Sequence, residues 1–329
     1  MLSRLTRPAA LATVSLCALA ALTACGDDAP EEETASGFDA VEVSGPVGQE
    51  PEVEWDAMLE PGETQAEVVE EGDGPALEDG DKVLTNFAIS NDVEQDVSFE
   101  TYSDKGLLLE VGSETEPTQV LELMTQLITD EIEPGTTTVG TRIALAVDAE
   151  EEFGDLALNL APLGIGNKDG FVLVADLSAV PLDGPEGKSR PAPRWAPELV
   201  VKKGKPTALD SSGLPEPDPK AEELGKAVLV EGSGAVVEDG DQIVVDYIGQ
   251  VYDGDKPFDN GFTRPDPTIF KIGEGAVIDG WDQGLVDVKV GSRVLLRVPP
   301  KLGYGKKGQG EDIPGGSTLY FVVDVLAAT

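Results

Sequence analysis

Histidine is absent from all 329 residues. The most frequent general base and the commonest metal ligand are therefore missing, and catalysis by a Ser–His or Cys–His pair is excluded. Cysteine occurs twice, as Cys17 and Cys25. Beyond residue 25 there is no thiol for a disulfide, a zinc–cysteine centre or a nucleophile. Basic residues are also few, 23 against 63 acidic ones, for a formal net charge of -40. Such a chain repels a phosphate backbone, which excludes polynucleotide binding; the charge reads as a solubility device. Hydrophobic residues make up 40% of the chain, enough for globular cores, and the length suits two ordinary domains with linkers.

The N-terminus is a processing segment. Arg4 and Arg7 precede an apolar, small-residue run from Pro8 to Ala24, the layout of a secretory signal, so residues 1–24 are assigned to a signal peptide. The run ends in Leu22-Thr23-Ala24-Cys25, which resembles the lipobox of bacterial lipoproteins. That resemblance implies cleavage before Cys25 and a diacylglyceryl group on its sulfur, an anchor of two acyl chains where one chain binds only marginally. It places the protein outside the cytoplasm, on the outer face of the cytoplasmic membrane. A plain signal or an uncut anchor is the alternative, and the run is short for a span.

Residues 25–65 are read as an acidic tether: from Gly26 to Thr64 there is no Lys or Arg, and self-repulsion favours an extended chain. Residues 183–225 are read as a linker rich in proline, which disfavours helix and inner strand. Trp195, Leu199, Val200 and Val201 interrupt it and are expected to dock part of it on a domain. The flanking regions, 66–182 and 226–329, look like copies. Glu71-Gly72-Asp73-Gly74 and Glu78-Asp79-Gly80-Asp81 recur 160 positions later as Glu231-Gly232-Ser233-Gly234 and Glu238-Asp239-Gly240-Asp241; Val139-Gly140-Thr141-Arg142 recurs 151 positions later as Val290-Gly291-Ser292-Arg293. Matches in order at a slowly drifting offset indicate a tandem duplication. In the second copy, 242–250, 292–298 and 318–326 have strand composition. Leu319, Phe321, Val323 and Val325 share one face, and 277–286 has the spacing of a short helix. Each copy is thus expected to be α+β, a sheet packed on one helix.

At this point the second copy resembles the FKBP-type peptidyl-prolyl isomerases, receptors of immunosuppressive macrolides, over about 227–326. The resemblance rests on Val245-Asp246-Tyr247-Ile248-Gly249, Pro257-Phe258-Asp259, Val277-Ile278-Asp279-Gly280-Trp281, Val290-Gly291-Ser292-Arg293, Gly303-Tyr304-Gly305, Ile313-Pro314 and Leu319-Tyr320-Phe321. It implies a curved antiparallel sheet wrapped on a short helix. It also implies a pocket with Trp281 as floor and Tyr247, Phe258, Phe270 and Phe321 as aromatic walls. Val277, Ile278 and Ile313 would be apolar lining, Asp259 and Tyr304 polar rim groups, and Arg264 the partner of Asp259. On spacing alone Phe321, Val277 and Ile278 are core residues, and Asp259, beside Asn260-Gly261, is a turn residue. This chain departs from the family at Gln309, Glu311 and Asp312, where histidine or apolar residues occur in other members.

The first copy keeps the scaffold and loses the pocket. Phe87 stands for Tyr247, Phe99-Glu100 for Phe258-Asp259, Phe153 for Tyr304, Leu173 for Phe321, and Met124 is the nearest match to the Trp281 floor. The resemblance implies a peptidyl-prolyl cis–trans isomerase, with no metal or other cofactor, acting on proline-containing exported polypeptides, with macrolides as further ligands. The rival is a non-catalytic, lipid-anchored chaperone or binding module using the same apolar grooves; a surface-structural protein is favoured only by the anchor and tether.

Overall fold

The computed structural model describes residues 33–113, 117–218 and 220–329. The signal peptide, the lipobox and Cys25 lie outside the described residues. Two antiparallel sheets dominate. The strands used below are β1 (Val41–Ser44), β2 (Glu52–Trp55), β3 (Gln65–Glu70), β4 (Lys82–Asn91), β5 (Val97–Glu100), β6 (Leu107–Glu110), β7 (Thr141–Asp148) and β8 (Gly170–Ala179), with helices α1 (Val120–Asp130) and α2 (Ala149–Phe153). They continue as β9 (Glu198–Lys202), β10 (Lys205–Asp210), β11 (Gly225–Glu231), β12 (Gln242–Val251), β13 (Asp259–Asn260), β14 (Thr268–Lys271), helix α3 (Asp279–Leu285), β15 (Arg293–Val298) and β16 (Leu319–Ala328).

The first sheet runs β3-β7-β8-β4-β5, with β6 also on β4; the second runs β11-β15-β16-β12-β13, with β14 also on β12 and the short strand Lys188–Ser189 outside β11. The strand orders are the same, and the repeated Gly motifs close matching corners. Gly72 donates its N–H to the Thr141 hydroxyl at 3.1 Å, and Gly232 to that of Ser292 at 3.0 Å. A Cβ on either glycine would lie 2.2 Å from a carbonyl oxygen, of Val139 or Val290 respectively. Only glycine lets the chain pass so close to another backbone.

Each sheet buries one face against its helix. In the first domain Met124, Leu127 and Ile128 of α1 meet Phe87, Leu145 and Leu173. In the second, Trp281 and Leu285 of α3 meet Tyr247, Leu296 and Phe321. Leu319, Phe321, Val323 and Val325 all point into that second core, as their alternation requires. The architecture is α+β.

The acidic stretch is not an extended tether throughout. β1 and β2 form a hairpin, and Val41 and Val43 are buried with Val53 and Trp55 against Ala144, Ala146, Val172 and Val174, on the face of the first sheet opposite α1. The physical reason is alternation: Glu42, Glu52 and Glu54 take the outward positions of strands whose other residues are apolar. Burying each such valine stabilises by roughly 1.5–3 kcal/mol, which outweighs weak repulsion among solvated carboxylates. The proline-rich stretch does the same for the second sheet. The β9–β10 hairpin sets Leu209, Leu199 and Trp195 against Ile248, Leu295 and Tyr320. Val201 remains 51% exposed, so the docking runs through Trp195, Leu199 and Leu209. Matching strand positions hold the two hairpins. Ser90 accepts a bond from the Trp55 indole at 2.9 Å, and Gln250, 160 positions later, exchanges two bonds with the Leu209 backbone, at 2.8 and 2.9 Å.

A buried ion pair ties the first hairpin down. Arg142 Nε lies 2.6 Å from Asp176, both side chains being fully buried. Its Nη1 donates to the carbonyls of Ser44 and Gly45, and its Nη2 to those of Pro46 and Gln49 and to Asp176 Oδ2, at 2.7–3.1 Å. Burial alone would lower the guanidinium pKa, but Asp176 more than offsets this and the net shift is upward. Every donor is satisfied, the condition on which a buried charge is tolerated.

Candidate functional site

The site follows from how α3 begins. Ile278, in extended conformation, precedes the helix without a side-chain cap. Instead Asp282 reaches back and accepts the backbone N–H groups of Gly273 and Gly275, at 2.8 and 3.0 Å. That pins the approach to the helix and turns Trp281, 3% exposed, into the concave face of the sheet. Around its indole stand Tyr247, Phe270 and Phe321, with ring centroids 5.2, 5.1 and 5.5 Å away, each edge-to-face. Phe258 meets Phe321 edge-on at 5.6 Å. Edge-to-face rings hold one another in place, so the walls are fixed before any ligand arrives.

The result is an open cavity of about 390 Å³ lined by Tyr247, Phe258, Asp259, Phe270, Ala276, Val277, Ile278, Trp281, Tyr304 and Phe321. Of the residues named from the sequence, the structure brings nine to this wall. Arg264 stands behind it: it donates to Asp259 Oδ1 at 2.6 Å and to the Tyr247 hydroxyl at 3.3 Å, while the Tyr247 hydroxyl donates to Asp259 Oδ2. Ile313 is corrected. It is 5% exposed within the apolar core and does not line the cavity. Burial, followed by the bond to Asp259, pushes the Tyr247 phenol up to about 12. Burial and then the negative charge of Asp259 raise that of Tyr304. Both phenols are therefore neutral at physiological pH. What the arrangement offers chemically is an apolar aromatic cup with a polar rim on one side.

Two contributors escaped the sequence reading. Ala276 extends the lining. Gly249 makes room for it: a Cβ there would lie 2.7 Å from both Phe258 and Phe321. A glycine inside a strand is the signal of such a close approach.

The first domain has a smaller cavity, about 260 Å³, lined by Phe87, Phe99, Val120, Leu121, Met124, Asn159, Pro162 and Leu163. Val120-Leu121…Met124 occupies the place of Val277-Ile278…Trp281, which puts Met124 at the floor. Leu173 faces Ile89 across the ladder as Phe321 faces Gly249, so Ile89 fills the space that Gly249 leaves open. Phe153 is corrected as a counterpart of Tyr304: it ends α2, is buried, and packs on Phe171 at 5.9 Å rather than reaching the rim.

Fold and cavity together define an α+β domain with an aromatic cavity between an antiparallel sheet and a short helix. A family model described as FKBP-type peptidyl-prolyl cis-trans isomerase matches residues 234–326. The chain is 38% identical over 130 residues to FK506-binding protein 2B of Rhizopus delemar, covering 39% of this chain and 62% of that one. It is 50% identical over 88 residues to peptidyl-prolyl cis-trans isomerase FKBP15-2 of Arabidopsis thaliana, covering 27% and 53%. Against FK506-binding protein 2 of Aspergillus oryzae it is 41% identical over 108 residues, covering 32% of this chain and 79% of the other. The first two matches thus span only about half to two thirds of those proteins. The chain belongs to the FKBP-type peptidyl-prolyl cis-trans isomerase family.

Proposed function

We propose that the second domain is a peptidyl-prolyl cis–trans isomerase (EC 5.2.1.8) that assists folding of exported, proline-containing polypeptides. The observation that carries this reading is the cup of Tyr247, Phe258, Phe270 and Phe321 over Trp281, rimmed by Asp259 and Tyr304. The peptide C–N bond resists rotation by about 18–20 kcal/mol because of resonance. Rotation removes that resonance and leaves a twisted, less polar amide. A dry aromatic cup disfavours the planar amide, which water solvates better, relative to the twisted one. This is preferential binding of the transition state and needs no nucleophile, metal or proton relay. Proline suits the cup because its cis and trans forms are close in energy, and their slow exchange limits folding. Several relatives are named for binding FK506, and a macrolide is the expected competitor for the same cup.

The first domain, with Met124 at its floor and Ile89 and Leu173 buried in the core beneath, is assigned no catalytic role. Anchoring through a lipid on Cys25 keeps the enzyme at the outer face of the cytoplasmic membrane. The test is a protease-free prolyl-peptide isomerisation assay on the chain from residue 26 onward. A rate above background that falls in Asp259→Ala supports the reading, and a background rate sinks it. For the anchor, Cys25→Ala should release the protein from membranes or leave it unprocessed; processing and membrane retention like the unaltered chain would refute it.

A further inference from the structure

A second, open groove of about 610 Å³ runs off the cup. Tyr247 and Phe270 line both spaces. The groove's walls come from the two domains: Lys105, Leu107 and Leu108 on one side, Pro267, Thr268 and Ile269 on the other. It is preformed, because the domains are locked together beneath it. Buried Gln242 accepts from the Gly106 N–H at 2.6 Å and donates to the Asn86 side chain and the Thr101 carbonyl at 2.9 and 3.2 Å. Leu84, Val244 and Ala327 form a shared apolar cluster with Leu108 and Ile269, and Lys82 pairs with Asp266.

The groove is also flanked by strand edges. β6 is paired with β4 alone and β14 with β12 alone among the described residues. Each presents an outer edge whose backbone groups are available to an added chain. Its cationic side chains, Lys105 and Arg264, sit in a chain of net charge -40.

Resting on the isomerase reading, we propose that this groove is an extended subsite for the client polypeptide: the segment flanking the prolyl bond lies in it as an added strand. Continuity selects this occupant, since a chain whose proline fills the cup and runs past Tyr247 and Phe270 enters the groove directly. Main-chain bonds to a strand edge accept many sequences, while Leu107 and Ile269 offer apolar contacts to alternate side chains. The first domain thereby contributes to substrate binding although its own cup is altered.

The experiment uses the chain from residue 26 onward and two substrates with the same prolyl dipeptide. One is a tetrapeptide; the other is an unstructured, apolar-rich peptide of about 14 residues, long enough at about 3.3 Å per residue to leave the cup. The long peptide should show a kcat/KM about tenfold higher, a difference of about 1.4 kcal/mol. Leu107→Glu and, to a lesser degree, Lys105→Glu should abolish that preference without changing the tetrapeptide rate. Amide hydrogen exchange read on the same samples reports whether each variant is folded. It should also slow within Leu107–Glu110 and Thr268–Lys271 on adding the long peptide but not the short one. Equal kcat/KM for both substrates, or unchanged exchange on both edges, overturns the proposal. So does a concentration-dependent dimer that Leu107→Glu converts to monomer, because a second copy would then fill the groove. Failure of the isomerase reading is distinct: the unaltered chain would not isomerise the tetrapeptide, and the exchange measurement would still decide the groove.

Discussion

In the two domains, the same sheet on the same kind of helix ends in two different cups. The second has Trp281 at its floor, Phe321 on its wall and Gly249 opposite; the first has Met124, Leu173 and Ile89. The scaffold tolerated these exchanges because all of them keep apolar bulk in the core, which is what stability asks of the site. What they change is where the bulk lies. Moving atoms from the wall and floor to the Gly249 position leaves a filled interior and a smaller recess, about 260 against about 390 Å³. Packing and cavity shape are thus separable in this fold.

The comparison can be broken by moving residues of the first cup into the second. The largest effect is expected for Gly249→Ile, whose side chain must displace Phe258 and Phe321. Overpacking of that kind costs roughly 1–3 kcal/mol, and with both walls shifted the isomerase rate should fall by about a hundredfold, equivalent to about 2.7 kcal/mol of transition-state binding. Whatever rate survives is an upper bound on the first domain's own contribution, expected to be near background; a variant with half the original rate would mean that Gly249 does not shape the cup or that the first cup also works.

Phe321→Leu should cost less, about tenfold, since one wall is lowered while the floor stays. Circular dichroism should show the fold retained, and an unchanged kcat/KM would remove Phe321 from the site. Tyr247→Phe imports only the loss of a hydroxyl. It breaks the bonds to Asp259 and Arg264 and should lower kcat/KM by about threefold, in the range of one net hydrogen bond.

The smallest expected effect is of pH. With both cavity phenols shifted upward and no histidine in the chain, kcat/KM should be flat from about pH 6 to about pH 9. Tyr247 carries a stability signature at higher pH. Its folded pKa, about 12, exceeds the ordinary value of about 10, so below pH 10 both states hold the proton and its contribution is complete. Above that the unfolded chain ionises first, and stability is lost as pH rises from about 10 to about 12. Phenolate absorbance of the unaltered chain minus that of Tyr247→Phe should show the late midpoint; a midpoint near 10 would contradict the buried, bonded phenol.

Much of the second domain was readable from residue order. Strands β12, β15 and β16 are dense in Val, Ile, Leu and aromatic residues, and the short helix begins within two residues of its expected start. The aromatic wall was legible through a family resemblance, since on spacing alone Phe321 or Val277 is indistinguishable from core, and both do border that core. Three features were not legible, each for a definite reason. The first hairpin hides in acidic composition, because averaged charge obscures alternation at Val41, Val43, Val53 and Trp55, whereas docking of the proline-rich stretch was signalled by Trp195 and Leu199. Ile313 follows the family motif, but its side chain turns into the core. Phe153 fits by sequence position, yet α2, capped by the Asp148 side chain, holds it in the core, where the second domain has only the short turn Pro300–Leu302.

The Arg142 clamp has a consequence for the order in which the molecule can be made. The carbonyls it holds belong to residues 44–49, and the carboxylate that steadies it is Asp176. The Gly48 N–H bonds to Asp176 across 128 residues of sequence. A chain emerging from its N-terminus therefore exposes Val41, Val43 and Trp55 long before β7 and β8 exist to cover them. Closing so long a loop is slow. During synthesis the first hairpin is a late-folding piece at the early end of the protein, and until Asp176 arrives its apolar face is open to capture by other chains.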